Sequence, residues 1–334
     1  MLTFLTYFEL KKNIELIEVC SDTGAGTHGA CFGAEALQIM AKSSKDSFLS
    51  DLPKRTCSVN FHKGFTSDFA RNIELVYMIC KSISKEVSGS LLQNQLPLVI
   101  SGDHSCAAGT IAGIKIARPD SRLGVVWIDA HADIHSPYTT PSGNMHGMPL
   151  AASLNEDNIS HKRQDVDYQT NHFWQKIKKL GNIFPKVQPQ DVVYISLRDF
   201  EKEEASLIRK HGVKVISTET LRRCGVSGVI STALKQLEFC SDIYVSFDTD
   251  CLDVSVSKGT GLPVPGGIMP WEAEELVAAF MQHPKIICFE VTELNPFFDE
   301  YDQSTKIISN ILEKGIFSRE SENIDRTYRL KNVT

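Results

Sequence analysis

Long apolar runs are missing from this chain: none approaches the ~20 consecutive apolar residues that a membrane-spanning helix needs. Paired cysteines are missing too. The nine cysteines stand singly at 20, 31, 57, 80, 106, 224, 240, 251 and 288, and no two share the C-x-x-C spacing of a zinc site or dithiol redox motif. An odd, scattered set of thiols suits a reducing compartment, where most act as small buried hydrophobes. Positive charge is in short supply, with 35 Lys and Arg against 41 Asp and Glu for a net charge of −6. That balance provides no whole-chain footprint for nucleic acid. Residues 1–8 are apolar, but they lack a basic segment and a small-residue cleavage site, so no secretory signal is expected. The expectation is a cytoplasmic protein that binds neither membrane nor nucleic acid.

What is present is ordinary globular composition, 42% hydrophobic and 23% charged over 334 residues, enough to bury a substantial core. Short apolar runs at 98–101, 123–128, 192–196, 213–216, 243–247 and 286–291 read as strands. They are too uniformly apolar for half-exposed strands, which predicts burial on both faces. Helical patterns alternate with them at 68–87, 107–117, 203–210, 226–239 and 271–281. This alternation predicts an α/β fold, a mostly parallel central sheet between two helical layers. Neither a linker nor a tandem repeat interrupts it, so residues 1–334 are expected to form one domain. Two segments stand apart: a polar, turn-rich insertion near 155–170, and a charged tail at 318–334 that reads as a frayed end or as an arm packed on a neighbour.

Ligands of parallel sheets bind beyond the carboxyl ends of the strands, so the residues following each apolar run carry the chemistry. These are Gly102-Asp103-His104-Ser105, Asp129-Ala130-His131-Ala132-Asp133, Asp248-Thr249-Asp250-Cys251-Leu252-Asp253 and Thr292-Glu293-Leu294-Asn295. Any one of these reads equally well as a turn or cap cluster. Together they deliver His, Asp and Glu to one edge of the sheet from separate strands. Alternate residues of an extended segment face the same side, so Asp129, His131 and Asp133 can converge, as can Asp248 and Asp250. Gathered carboxylates repel and raise one another's pKa; divalent cations resolve the conflict. The donors are rich in oxygen and contain no thiolate, which disfavours structural zinc and suits manganese or a similar ion.

These blocks, with Ser246-Phe247-Asp248-Thr249-Asp250-Cys251-Leu252-Asp253 running on to Gly259-Thr260-Gly261, resemble the ureohydrolase superfamily of arginase, agmatinase and related amidinohydrolases. The resemblance extends over roughly residues 14–314. It implies a single α/β/α domain and a small-molecule guanidino substrate. It also implies two Mn2+ ions per subunit and homo-oligomers, trimers or hexamers. By it, His104 and Asp133 bind one ion, His131 and Asp250 the other, and Asp129 and Asp248 bridge them. The run Ser142-Gly143-Asn144-Met145-His146-Gly147-Met148-Pro149 looks like arginase rather than agmatinase. It assigns Ser142 and Asn144 to the amino-acid end of the substrate, as do the acidic positions Glu201 and Glu204.

In that scheme water acidified by the metal pair attacks the guanidinium carbon, with its proton held by Asp250 or Asp133. Glu293 pairs bidentately with the guanidinium, and His146 shuttles a proton to the leaving amine. Four departures touch the pattern. His135 stands where arginase has an asparagine that reads the α-carboxylate. Leu262, Val254 and Ser101 replace a usual threonine, proline and glycine. The metal set is intact, but selection of arginine is put in question. Competing readings are an amidinohydrolase for agmatine or another guanidino compound and a non-enzymatic metal-binding homologue. The loop Gly24-Ala25-Gly26-Thr27-His28-Gly29 lacks a P-loop lysine and the G-x-G-x-x-G pattern, and is expected to be a tight strand-to-helix connection near the site.

Overall fold

The uninterrupted apolar character of the strands has a direct structural counterpart. In the computed structural model, which describes residues 14–43, 48–58 and 63–331, successive residues of β4 (Leu123–Ile128) divide between two hydrophobic cores. Val125 and Trp127 join one core, Val126 and Ile128 the other. Each face of the sheet is therefore closed by a helical layer. At ~1.5–3 kcal/mol per large apolar side chain removed from water, this double burial is the main stabilisation of the fold.

Eight strands form one sheet. They are β1 (Ile14–Val19), β2 (Lys54–Cys57), β3 (Leu96–Ser101), β4, β5 (Val192–Ile195), β6 (Lys214–Ile216), β7 (Asp242–Asp248) and β8 (Ile286–Thr292). The order is β2-β1-β3-β8-β7-β4-β5-β6, and every pairing is parallel. The helices are α1 (Gly33–Ser43), α2 (Ile73–Leu92), α3 (Ala107–Ala117), α4 (Pro149–Leu154), α5 (Tyr168–Lys178), α6 (Lys202–His211), α7 (Thr218–Gln236), α8 (Pro270–Gln282) and α9 (Gln303–Lys331). The architecture is a three-layer α/β/α sandwich.

Register places the chemistry. Ile128 pairs with Phe247, Asp248 with Thr292, and Ile100 with Val291. The four adjacent central strands β3, β8, β7 and β4 thus end level with one another, and the residues that follow them meet at one edge. Directly after β3, α3 packs against α2 so closely that a Cβ on Gly109 would stand 2.7 Å from the Cys80 backbone, and one on Gly113 2.7 Å from Val87 Cβ. Glycine at both positions lets the two helices approach and fixes the start of α3, immediately downstream of His104.

Sequence and structure part at several elements. The 107–117 helix has the predicted ends, whereas α2 starts later than predicted, at Ile73. α7 begins earlier, at Thr218, and is broken at Gly225, where φ is 71°. β2 was not predicted. It is a polar edge strand held by charge, with Lys54 on Glu18 at 3.0 Å and Arg55 on Glu15 at 2.8 Å. The 155–170 segment has one short 3-10 turn, Ile159–His161, before α5 begins at Tyr168, and its base is pinned by Asp157, which accepts from Trp174 Nε1 at 2.6 Å and Lys178 Nζ at 2.8 Å. The tail, expected to be a frayed end or a packed arm, continues α9 as helical backbone to Lys331, and Arg319 donates to the carbonyls of Met281 and His283 at the end of α8. Residues 1–8 lie outside the described residues. No described helix is long and apolar enough to cross a membrane.

Candidate metal centre and active-site cleft

Three of the aspartates at the sheet edge spend one oxygen on the backbone. Asp129 Oδ1 accepts from the His131 N–H at 2.7 Å, Asp248 Oδ1 from the Asp250 N–H at 2.8 Å, and Asp250 Oδ1 from the Ala130 N–H at 3.1 Å. These bonds fix the carboxylates and leave their second oxygens pointing inward. Asp129, Asp133 and Asp248 each bring Oδ2 to about His104 Nδ1, at 3.0, 2.9 and 3.1 Å. His131 Nδ1 stands 2.9 Å from Asp250 Oδ2 and 3.6 Å from Asp129 Oδ1. Two donor groups result, His104–Asp129–Asp248 and Asp129–His131–Asp250, each with its ligand atoms within 4.8 Å. Asp129 belongs to both, the position of a bridging ligand. Asp248 stands in the first group, its Oδ2 3.1 Å from His104 Nδ1.

The electrostatics are those of a site made for cations. Burial pushes the Asp250 carboxyl up to about 6, with Asp129 adding to it, and raises Asp248 well above the usual carboxylate range. Burial acts the same way on Asp129, but His104 and His131 outweigh it and hold that carboxyl low. Both imidazoles are pushed above their ordinary value by these carboxylates despite burial. His104 Nδ1 and Asp129 Oδ2 are buried without a hydrogen-bond partner, an arrangement that is costly unless a further group satisfies them. Buried mixed oxygen and nitrogen donors that converge, two of them without partners, fit divalent metal ions.

Several residues that hold this constellation escaped sequence reasoning. Ser246 Oγ lies 2.7 Å from His104 Nε2, fixing the ring, and Trp127 stacks on it with centroids 4.0 Å apart. Ser246 stands two residues before Asp248, on the same face of β7, so period-two reasoning could have found it. Arg198 clamps the loop beneath, donating to the carbonyls of Asp250 at 2.7 Å and Val264 at 2.9 Å. Asp103, fully buried, accepts from Ser105 N and from Gly24 N, both at 2.9 Å. That second bond draws the glycine loop over the site as expected. A Cβ on Gly24 would stand 2.5 Å from Ser105 Oγ.

The cleft above the cluster is lined by every residue expected at the substrate: His135, Ser142, Asn144, His146, Glu201, Glu204 and Glu293, with Leu262. Two of them differ in detail from expectation. Glu293 Oε1 accepts from His104 N at 3.0 Å and from His146 Nδ1 at 2.9 Å, so the bidentate face expected for a guanidinium is already half occupied. His135, expected to donate to a carboxylate, donates from Nε2 to Glu201 Oε2 at 3.0 Å, and its Nδ1 lies 3.0 Å from Thr139 Oγ1. Glu201 and Glu204 themselves form the capping box of α6. The His135 contact holds Glu201 down to about 2, while burial pushes Glu204 up. Asp133 and Glu293 both have positive φ, 52° and 61°, a conformation rare outside glycine that concentrates at functional sites.

Donors ordered for cations at the centre of a parallel sheet, opening on an acidic cleft, define a metal-dependent amidinohydrolase. Residues 12–316 match the model of the arginase family, and the chain belongs to that family. It is 30% identical over 313 residues to the arginase of Bacillus subtilis, covering 91% of this chain and 97% of that protein. Among solved structures it resembles the arginase of Bacillus caldovelox, with TM-score 0.79, 29% identity and coverage of 92% and 98% of the two chains. It also resembles the Entamoeba histolytica arginase solved with L-ornithine, with TM-score 0.77, 26% identity and coverage of 91% and 97%.

Proposed function

We propose that this protein hydrolyses the guanidino group of L-arginine to ornithine and urea with two manganese ions. The observation that carries the reading is the shared position of Asp129 between two donor groups, beside a cleft whose lining includes Ser142, Asn144, Glu201 and Glu204. His104, Asp133, Asp129 and Asp248 would hold one ion, and His131, Asp250, Asp129 and Asp248 the other. When bound, such a pair supplies Lewis acidity and acidifies water toward neutrality.

The protein's own groups do the rest. Glu293 Oε2, the oxygen not committed to His104 and His146, receives the guanidinium and orients it. Asp133 or Asp250 holds the proton of the attacking water. Because Nδ1–H of His146 is committed to Glu293, Nε2 is the atom that passes a proton to the departing amine. The single sheet supports one domain for the whole chain. The nine free cysteines support a reducing compartment, hence the cytoplasm, and the likeness to arginases extends the reading to a homo-oligomer.

Urea release from L-arginine, agmatine and 4-guanidinobutanoate, measured with added manganese, tests this reading. The expected result is L-arginine at least tenfold ahead in kcat/KM. Agmatine or the guanidino acid ahead by the same margin would replace it with the broader amidinohydrolase activity, which the pinned His135 favours.

A further inference from the structure

The wall of the cleft carries six carboxylates, Asp133, Glu201, Glu204, Asp248, Asp250 and Glu293, and among the described residues no lysine or arginine lines it. Bound metal ions would offset the charge of Asp133, Asp248 and Asp250. Away from the metal ligands the lining keeps Glu201, an ionised carboxylate that attracts an ammonium but repels a carboxylate. His135 does not solve this, because its Nε2 is spent on Glu201. A substrate bearing both groups gains from a cation elsewhere.

One stands beside the lining residue Asn144. Arg71 Nη1 donates to Asn144 Oδ1 at 3.3 Å, and Asn144 lines the cleft. The backbone around this arginine is built in place. Its N–H donates to Gly143 O at 2.8 Å, the Ser67–Ala70 bridge precedes it, and Asn72 Nδ2 donates to Thr23 O at 3.1 Å. Asn144 is confined from the other side by Gly26, where a Cβ would stand 2.6 Å from Asn144 Nδ2. Arg71 is exposed and has no carboxylate partner among the described residues. Only one of its five guanidinium N–H donors has a recorded acceptor, which leaves a fork suited to a carboxylate.

The geometry points to Arg71 as a specificity-determining residue that, with Ser142 and Asn144, receives the carboxylate of an α-amino-acid guanidino substrate. The inference rests on the arginine reading above and names the group that separates arginine from its decarboxylated analogue.

The test compares wild type with Arg71→Gln and Arg71→Lys as manganese-loaded protein, in two arms. In turnover, the arginine-to-agmatine ratio of kcat/KM falls about tenfold in Arg71→Gln, through KM rather than kcat, and by less in Arg71→Lys, which keeps the charge but loses the fork. In calorimetry, binding of L-ornithine weakens in Arg71→Gln by a similar factor while binding of putrescine does not. An unchanged ratio in Arg71→Gln, or equal losses on both substrates, overturns the inference. Should wild type release no urea from arginine, the arginine reading fails on its own. The calorimetric arm then decides for Arg71: selective loss of L-ornithine sustains it, and equal or absent binding overturns it.

Discussion

Asp129 Oδ2 lies 3.0 Å from His104 Nδ1, and neither atom has a hydrogen-bond partner although both are buried. Because Asp129 also stands in the second donor group with His131 and Asp250, its loss is expected to affect both ions. Asp129→Asn is expected to reduce bound manganese from two ions to fewer than one and to lower kcat more than a hundredfold. Metal analysis after dialysis reads the first effect and urea release the second. Two ions retained with full turnover would remove Asp129 from the bridge.

Behind that pair, Ser246 Oγ fixes His104 Nε2 at 2.7 Å. Partners of a ligating imidazole typically contribute 10–100-fold to metal affinity, so Ser246→Ala should weaken manganese binding by about tenfold. Activity is expected to return at saturating manganese, since no group that touches substrate has changed. A loss that excess metal does not restore would place Ser246 in the chemistry itself.

The pH dependence of turnover follows from His146. Burial opposes its charge, but the Glu293 carboxylate at 2.9 Å outweighs burial and lifts the imidazole to about 9. The folded value lies above the unfolded one. The pair therefore adds its full stability below the ordinary histidine range near pH 6.5 and loses it as pH rises through about 9. Acid catalysis at the leaving amine follows the same direction, so kcat/KM should decline above about pH 9. In Glu293→Gln the descending limb should move toward neutrality, and in His146→Asn it should vanish. A limb that stays in place in both variants would assign it to another group.

How much of this was legible in the sequence depended on whether burial or long-range pairing set the pattern. Strands closed by cores on both faces leave continuous apolar runs, so 123–128 coincides with β4 and 107–117 with α3. The ligand blocks were legible for a related reason: residues that terminate adjacent buried strands must share an edge. β2, with sequence KRTC, leaves no apolar trace because its side chains are ion-paired at the sheet margin. Nor does α5, whose buried side is carried by Thr170, Trp174, Ile177 and Lys178 among polar neighbours. The contact of His135 with Glu201 spans 66 residues and depends on how α6 docks beside the loop after β4, which no local spacing encodes.

That contact leads to the last prediction, which concerns the ammonium end of the substrate. Glu201 is half exposed in the cleft, and its hydrogen bond to His135 holds it ionised down to about 2. Any ammonium that approaches Glu201 competes with His135 for the same carboxylate. Replacing His135 with Asn shortens the side chain and frees Glu201 Oε2, so substrates that carry an ammonium should bind better. The gain is limited by solvent at a partly exposed pair, ~1 kcal/mol or less, which corresponds to roughly a threefold to fivefold fall in KM. L-Arginine and agmatine both carry that ammonium and should improve together, whereas 4-guanidinobutanoate, which has only the carboxylate, should not. Leu262 tests another part of the lining: it is 48% exposed, so Leu262→Thr adds a hydroxyl that water already satisfies and should change KM by less than twofold. Michaelis constants for the three compounds in wild type, His135→Asn and Leu262→Thr read these effects directly. A KM for agmatine that does not fall in His135→Asn would mean that Glu201 does not meet the substrate's ammonium, and that its place in the capping box of α6 is its whole role.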